Sequence, residues 1–402
     1  MQTYLVGGAL RDQLLGLKVQ DKDWLVVGAT PEHMLELKYQ QVGRDFPVFL
    51  HPQTHEEYAL ARTERKSGRG YLGFTCYTSP NVTLEEDLSR RDLTINAMAM
   101  DKEGHIHDPF HGQQDLKNKV LRHISPAFIE DPLRVLRVAR FAARFAHLGF
   151  SIAPETQALM VQIATSGELD HLTAERIWQE WQKSLTYTSP EVFIKTLHQC
   201  GALRIILPEM ASLFEVPEKI KWHPEGNAGE HTLLSIQQIA KLTSDPIVRF
   251  ATSLHDLGKA HTDPNHWPNH DQHAQLGVTP IQSLCARIKV PKDYKELAVL
   301  VCRYHILIHH VAQMTNTEII DLFDQLDVWR KPQRLNQILQ CCIADTKGRL
   351  GYDNTTYPQA KILKEKFALA QNVAVKKVVE EGFKGRQIKE ELRKRRIQAL
   401  CL

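Results

Sequence analysis

The chain has 402 residues, too many for one compact core and enough for two to four domains. Hydrophobic residues make up 43% and charged residues 24%, a balance that excludes wholesale disorder and a fibrous repeat. Lysine and arginine number 50 against 47 aspartates and glutamates, so the net charge is only +3 and any nucleic-acid surface must be local.

No apolar run reaches the roughly 18 residues of a membrane span. The N-terminus has no basic stretch leading into an apolar core, so a signal peptide is not expected. The seven cysteines are scattered and form no Cys-x-x-Cys, which argues against a disulfide frame or a zinc–thiolate site and fits the cytoplasm.

The N-terminal segment reads as mixed α/β. Tyr4–Val6, Trp24–Val27, Phe46–Leu50 and Tyr58–Ala61 are strand candidates. Thr30-Pro31 starts a helix, a capping residue followed by proline at the first helical position. Beyond about Glu130 the pattern turns to long segments of helical period, and Pro208, Pro217 and Pro224 mark a boundary near 220. The fold class is therefore α+β, an α/β head followed by an all-α remainder. We expect a head over 1–140, a helical neck and body over 141–222, a histidine-rich domain over 223–330 and a helical tail over 331–402.

Gly7-Gly8 sits between a strand and a helix, where backbone amides and the helix dipole can receive a phosphate, and Arg11 lies one turn further on. Asp21 and Asp23 are two apart, which on a strand turns both carboxylates to one face, roughly 7 Å apart at the backbone. Like charges so placed call for a hard cation, and Mg²⁺ keeps positions open for substrate phosphates. Glu57, on a neighbouring strand, is a further candidate ligand. Arg90-Arg91-Asp92 follows an acidic helix start at Glu85–Asp87, and Arg91 is expected to face a triphosphate while Asp92 orients it. Arg134, Arg137, Arg140 and Arg144 recur at spacings of three, three and four, a basic stripe on an otherwise apolar helix. With no lysine or glutamate mixed in, it should face a polyanion.

Together, Gly7-Gly8-x-x-Arg11-Asp12, Asp21-x-Asp23, Arg91-Asp92-Leu93-Thr94-Ile95-Asn96-Ala97 and Glu130-Asp131-x-x-Arg134-x-x-Arg137-x-x-Arg140-Phe141 resemble the class II CCA-adding tRNA nucleotidyltransferases. The resemblance spans essentially the whole chain and implies a palm-type head. It implies that Gly8, Arg11, Arg91, Arg137 and Arg140 hold incoming CTP or ATP and that Asp21 and Asp23 hold catalytic Mg²⁺. It further implies that Asp131 and Arg134 read the base, and that the partner is the 3′ end and acceptor arm of tRNA, on a monomer or a homodimer. Bacterial poly(A) polymerases share the head motifs.

Residues 223–310 hold ten of the 20 histidines. His231, His255-Asp256, His305 and the later Asp345 offer imidazoles and carboxylates without thiolates, a set suited to a mid-row divalent metal. This order resembles the HD phosphohydrolase superfamily, which implies phosphatase, 2′-nucleotidase and 2′,3′-cyclic phosphodiesterase activity supported by Ni²⁺ or another divalent transition metal. His261, His266, His270 and His273 are expected on loops or the surface. The tail from Lys376 to Arg396 carries nine basic and four acidic residues, and its cluster Arg393–Arg396 is, with a loop at Arg62–Arg69, a candidate tRNA contact. The rival readings are a poly(A) polymerase and an HD phosphohydrolase whose head merely binds nucleotide.

Overall fold

The computed structural model describes residues 1–19, 21–42, 48–66 and 74–401, with 64–66 and 74–76 described by their backbone alone. These residues form two compact units, one of Met1–Ser184 with Val192–Ile206 and one of Leu185–Glu191 with Leu207–Leu402.

The first unit is built on strands β1 (Gln2–Val6), β2 (Asp23–Val27), β3 (Gln40–Val42), β4 (Val48–Leu50), β5 (Glu57–Leu60), β6 (Arg62–Lys66), β7 (Phe74–Thr78), β8 (Ala99–Met100) and β9 (Ile106–His107). Seven of them form a mixed sheet in the order β3-β4-β5-β2-β1-β8-β9, while β6 and β7 pair as a separate ribbon. Alternation along the central strands supplies two cores. Leu25 packs with Tyr4, Val6, Leu88, Ala97 and Ala99 on one face, and its neighbour Val26 packs with Met34, Phe49 and Leu60 on the other.

Thr30 caps the helix Pro31–Glu36 by accepting the His33 N–H, as its sequence predicts. The strand expected at Phe46–Leu50 is observed over Val48–Leu50, and Phe46 and Pro47 lie outside the described residues. Arg62–Lys66 is not loop but strand, antiparallel to β7, and residues 67–69 of that candidate lie outside the described residues. Past the sheet, the helix Leu133–Phe145 packs against the helix Ala174–Ser184. Leu136, Val138, Ala139 and Ala143 of the first are fully buried.

The second unit is helical. Ala228–Leu242, Pro246–Ser253, Lys292–His309 and Gln333–Lys347 pack on one another, and Pro358–Gln371, Val375–Glu380 and Arg386–Ala399 follow. Among the described residues no helix is long and apolar enough to cross a membrane.

Candidate active sites

In the first unit, the sheet register collects the groups that the sequence scatters. Val6, at the end of β1, is opposite Asp23, and Asp23 is opposite Glu57 at the start of β5. The chain then turns at Gly7, whose φ of +65° is strained for any side chain, and a Cβ there would stand 3.1 Å from Arg91 Nη1. Glycine is thus required both by the backbone and by the approach of an arginine. β2 begins at Asp23, so the period-two argument does not reach Asp21, which precedes the strand; both nevertheless line the same cavity.

Burial raises the Asp23 carboxyl, and the negative charges of Glu57 and Asp21 raise it further against the opposing pull of Arg91. Carboxylates that repel one another in this way fit a divalent cation, and an all-oxygen donor set selects a hard one. Among the described residues, every grouping of three ligating atoms within 4.8 Å lies in the second unit. The head carboxylates therefore do not close into a cage, which suits an ion that shares its coordination with substrate phosphates.

The cavity has a volume of about 710 Å³ and is lined by nine arginines and lysines against five carboxylates. Gly8, Arg11, Arg91, Asp131, Arg134, Arg137 and Arg140 all belong to its wall. Asp92 does not orient Arg91, contrary to expectation. Arg91 Nη2 donates to Asp87 Oδ2 at 3.1 Å, four residues back, because Arg91 comes just after Arg90, the C-cap of the helix Leu84–Ser89. Asp92 instead accepts from Leu93 N, from Asn96 Nδ2 and, at 2.7 Å, from Arg137 Nε. Burial would raise Asp92, but Arg137 and these hydrogen bonds prevail and hold it far below the usual carboxylate range.

Arg11 is 2% exposed, and its fork is already engaged: Nε and Nη2 lie 2.9 and 2.8 Å from Asp12 Oδ1, and Nη1 donates to Asn96 Oδ1. Its guanidinium lies beside the Phe141 and Phe145 rings, each at 5.1 Å, and so ties the glycine turn to the arginine helix.

Arg134 and Arg140 are buried, so the arginine stripe forms a cavity wall and not a solvent face. Arg140 Nε meets Glu180 at 2.5 Å and Arg144 meets Asp12 at 2.7 Å. Asp131 is not on the helix surface. It precedes Pro132 in extended backbone, ahead of the helix, and accepts the Leu133 N–H at 3.0 Å. Its carboxylate lies 3.3 Å from Arg176, and Arg134 donates to the carbonyls of Ala127 and Arg90. Asp131 and Arg134 thus both line the cavity, each held by its own partners.

In the second unit, His231, His255, Asp256, His305 and Asp345 come together from three helices and the turn after Ser253. His231 Nε2 lies 3.1 Å from Asp345 Oδ1, and His255 Nε2 lies 3.1 Å from Asp256 Oδ2 and 3.8 Å from Asp345 Oδ1. Burial opposes charge on His231, but hydrogen bonds to Asp345 and Glu225 outweigh it and raise the imidazole to about 9. A metal would compete with that proton for Nε2. Buried imidazoles and carboxylates without thiolate fit a transition metal.

His273 was expected on the surface; it is 9% exposed, with Nε2 3.2 Å from His305 Nε2 and 3.5 Å from Asp256 Oδ1, and burial pushes its imidazole down to about 4. His270 also points inward, its Nε2 2.9 Å from the Pro217 carbonyl. A backbone crossing seats His273: a Cβ on Gly258 would fall 1.8 Å from the His273 carbonyl oxygen, and one on Gly277 would fall 2.8 Å from Gly258 N. Only paired glycines allow that approach. Glu225, His309 (2.7 Å from Asp345 Oδ2) and Lys259 (2.8 Å from Asp256 Oδ2) complete the surroundings. Sequence reading missed Asp87, Arg176, Glu180, His273, Glu225 and His309. Only the Gly258 and Gly277 pair and the histidine density hinted at any of them.

The tail cluster is largely committed within its own unit. Arg393 pairs with Asp321 at 2.8 Å, Arg395 with Glu391 and Glu381, and Arg396 lies 3.6 Å over the Trp329 ring, which leaves Lys394 exposed. Solvated basic surface is correspondingly smaller than the residue count suggested.

Residues 3–122 match the family described as Poly A polymerase head domain, and 149–214 match the probable RNA and SrmB-binding site of polymerase A. Among solved structures, the CCA-adding enzyme of Thermotoga maritima complexed with tRNA is similar at a TM-score of 0.64 and 20% identity, over 99% of this chain and 87% of that one. The Bacillus stearothermophilus enzyme in complex with CTP is similar at a TM-score of 0.62 and 24% identity, over 99% and 88%. These likenesses establish the fold, with its mixed-sheet head and helical remainder. The multifunctional CCA protein of Aliivibrio salmonicida (strain LFI1238) is 58% identical over 400 residues, covering 100% of this chain and 98% of its own length. At that identity and coverage, the chain belongs to the multifunctional CCA protein family, nucleotidyltransferases of tRNA that depend on divalent metal.

Proposed function

We propose that the chain adds and repairs the 3′-terminal CCA of tRNA with CTP and ATP, without a nucleic-acid template. The observation that carries the reading is the single cavity in which Asp21, Asp23 and Glu57 share a wall with Gly8, Arg11, Arg91 and the arginine helix. An excess of basic side chains receives a triphosphate, and the carboxylates would hold Mg²⁺, which would supply activation of the RNA 3′-hydroxyl and charge compensation for the leaving group. The hydroxyl attacks the α-phosphorus in line and pyrophosphate leaves. Arg137, held by Asp92, and Arg91, held by Asp87, keep the phosphates in place.

Asp131 and Arg134 supply the base preference. Cytosine and adenine both pair an exocyclic amine donor with a ring-nitrogen acceptor, which a carboxylate and a guanidinium satisfy together. Uracil reverses both groups. Each mismatched buried contact costs about 1–3 kcal/mol, enough for about ten- to hundredfold rejection.

The histidine site would hold Ni²⁺ or another divalent transition metal and act as a phosphatase, 2′-nucleotidase and 2′,3′-cyclic phosphodiesterase. When bound, that ion supplies Lewis-acid polarisation of a phosphate ester. Asp256 and Asp345 share the site with Lys259, whose ammonium burial would weaken but which the flanking Asp256 and Glu218 keep protonated, a positive group beside the phosphate position.

The test is incubation of tRNA lacking its 3′ end with CTP, ATP and Mg²⁺, followed by sequencing of the product. Addition of C, C and A supports the reading, and homopolymeric A tails would make the protein a poly(A) polymerase.

A further inference from the structure

We infer that the mouth of the histidine cavity is a nucleotide subsite, in which Trp222 stacks a nucleobase while Arg349 and Lys219 take a second phosphate on its 5′ side. The inference rests on the phosphohydrolase reading and adds how that site would recognise its substrate. The cavity measures about 300 Å³, at the small end for a ligand site, so a substrate larger than a simple phosphate ester extends over its rim. Trp222, Lys219 and Arg349 all belong to its wall.

Charge along that wall is unevenly paired. Lys259 is engaged by Asp256 and Glu218, and Asp345 by His231 and His309. Asp271, the remaining carboxylate of the wall, is exposed. Arg349 is half-buried and has no such answer. Its Nε is buried without a hydrogen-bond partner, and among the described residues its guanidinium makes no ion pair. A guanidinium so placed has given up hydration without compensation, and its planar fork matches a phosphate. Lys219 is a second cation with no ion pair among the described residues, and it is exposed. Lys259 already stands beside the phosphate to be cleaved, so these two cations exceed what one phosphate requires.

Apolar surface adjoins the surplus. Residues 219–222 read Lys-Ile-Lys-Trp, with Ile220 65% and Trp222 50% exposed. An indole beside a charged cavity, with lysines interleaved, suits a nucleotide held by stacking and by charge together. Lys221 Nζ lies 4.9 Å from the Trp222 ring centre and adds positive charge to the platform. The turn that carries the indole is tied down. Trp222 N and His223 N both donate to the Lys219 carbonyl at 2.8 Å, and His223 Nδ1 lies 2.9 Å from Glu225 Oε1.

The test compares hydrolysis of adenosine 2′,5′-bisphosphate, adenosine 2′-monophosphate and glycerol 2-phosphate by the full chain, and of a short RNA with a 2′-phosphate at its 3′ end. We expect Trp222→Ala to lower the kcat/KM ratio of either adenosine ester to glycerol 2-phosphate by about tenfold, through KM, and Trp222→Phe to restore most of it. Arg349→Gln and Lys219→Gln should lower the preference for the bisphosphate over the monophosphate. RNA favoured over the bisphosphate would identify a chain end as the source of the second phosphate, and the reverse a free nucleotide; both support the subsite. A second readout is quenching of tryptophan fluorescence by adenosine 2′,5′-bisphosphate in metal-stripped protein, part of which should vanish in Trp222→Phe. A ratio unchanged in Trp222→Ala, or a bisphosphate preference unchanged in both cation variants, overturns the inference. If no ester is hydrolysed, the phosphohydrolase reading falls and the quench alone decides. Its partial loss in Trp222→Phe then supports the subsite, and its full persistence overturns it.

Discussion

Replacing Asp92 by asparagine isolates the electrostatic link on which the nucleotide cavity depends. Asp92 Oδ1 accepts from Leu93 N and Asn96 Nδ2, both at 2.8 Å, and Oδ2 accepts from Arg137 Nε at 2.7 Å. An asparagine would keep its oxygen toward the two donors and turn its amide against Arg137, donor to donor. Loss of a hydrogen bond to a charged group costs about 1.5–3 kcal/mol, and breaking a fully buried pair about 3–5. The Arg137 side chain is 35% exposed, so water partly compensates it and the lower range applies. We expect Asp92→Asn to destabilise the helix Leu133–Phe145 by about 2 kcal/mol, about thirtyfold in its opening equilibrium. Native-state hydrogen exchange of that helix reads the change locally, without requiring the two units to unfold together.

The pH dependence has a fixed sign. The folded carboxyl titrates far below its unfolded value of about 3.9, so its stabilisation is fully present above that value and is lost as pH falls toward the folded one. The gap between wild type and variant should be flat from about pH 5 to 8 and shrink below about pH 4. A gap under about 0.5 kcal/mol at pH 7, or one that widens in acid, would refute the role assigned to Asp92.

Three further outcomes are expected. Asp131→Asn should lower the CTP/UTP ratio of kcat/KM by about tenfold or more, since the amide offers uracil the donor that the carboxylate lacks; an unchanged ratio removes Asp131 from base reading. Asp21→Ala should abolish nucleotide addition and spare phosphatase activity, and His255→Ala or Asp256→Ala should do the reverse; one folded variant losing both would defeat the two-site arrangement. Gly258→Ala, whose Cβ would fall 1.8 Å from the His273 carbonyl, should lower the urea midpoint by more than an ordinary surface change and weaken Co²⁺ binding to the histidine site, and a wild-type midpoint would show that the crossing can relax.

The motifs that identify the family are short and local, which is why they survive reading along the chain. A glycine turn after β1 and arginines at helical spacing each depend on the geometry of one element, set by backbone sterics and periodicity, whereas Asp21 stands ahead of the strand that begins at Asp23. His255-Asp256 is legible for the same reason, as a polar pair closing an apolar helix. What the sequence did not decide is which group answers which. Asp92 is adjacent to Arg91 yet bonds Arg137, because the turn out of the preceding helix brings Asp87 under Arg91 instead. Asp131 looked like a helix-surface residue, but it lies ahead of Pro132 in extended backbone, before the helix begins.

Basic residues in the tail read as a surface for nucleic acid, and the fold engages Arg393, Arg395 and Arg396 in its own pairs, since a charge run says nothing about the partners that packing supplies. His273 lies in a stretch with no periodic signal; only the approach of two glycine backbones carries it to Asp256. Local geometry thus fixed the residue types at each site in the sequence, while the pairing of charges and the convergence of ligands arose from contacts between segments far apart in the chain, where no spacing rule applies.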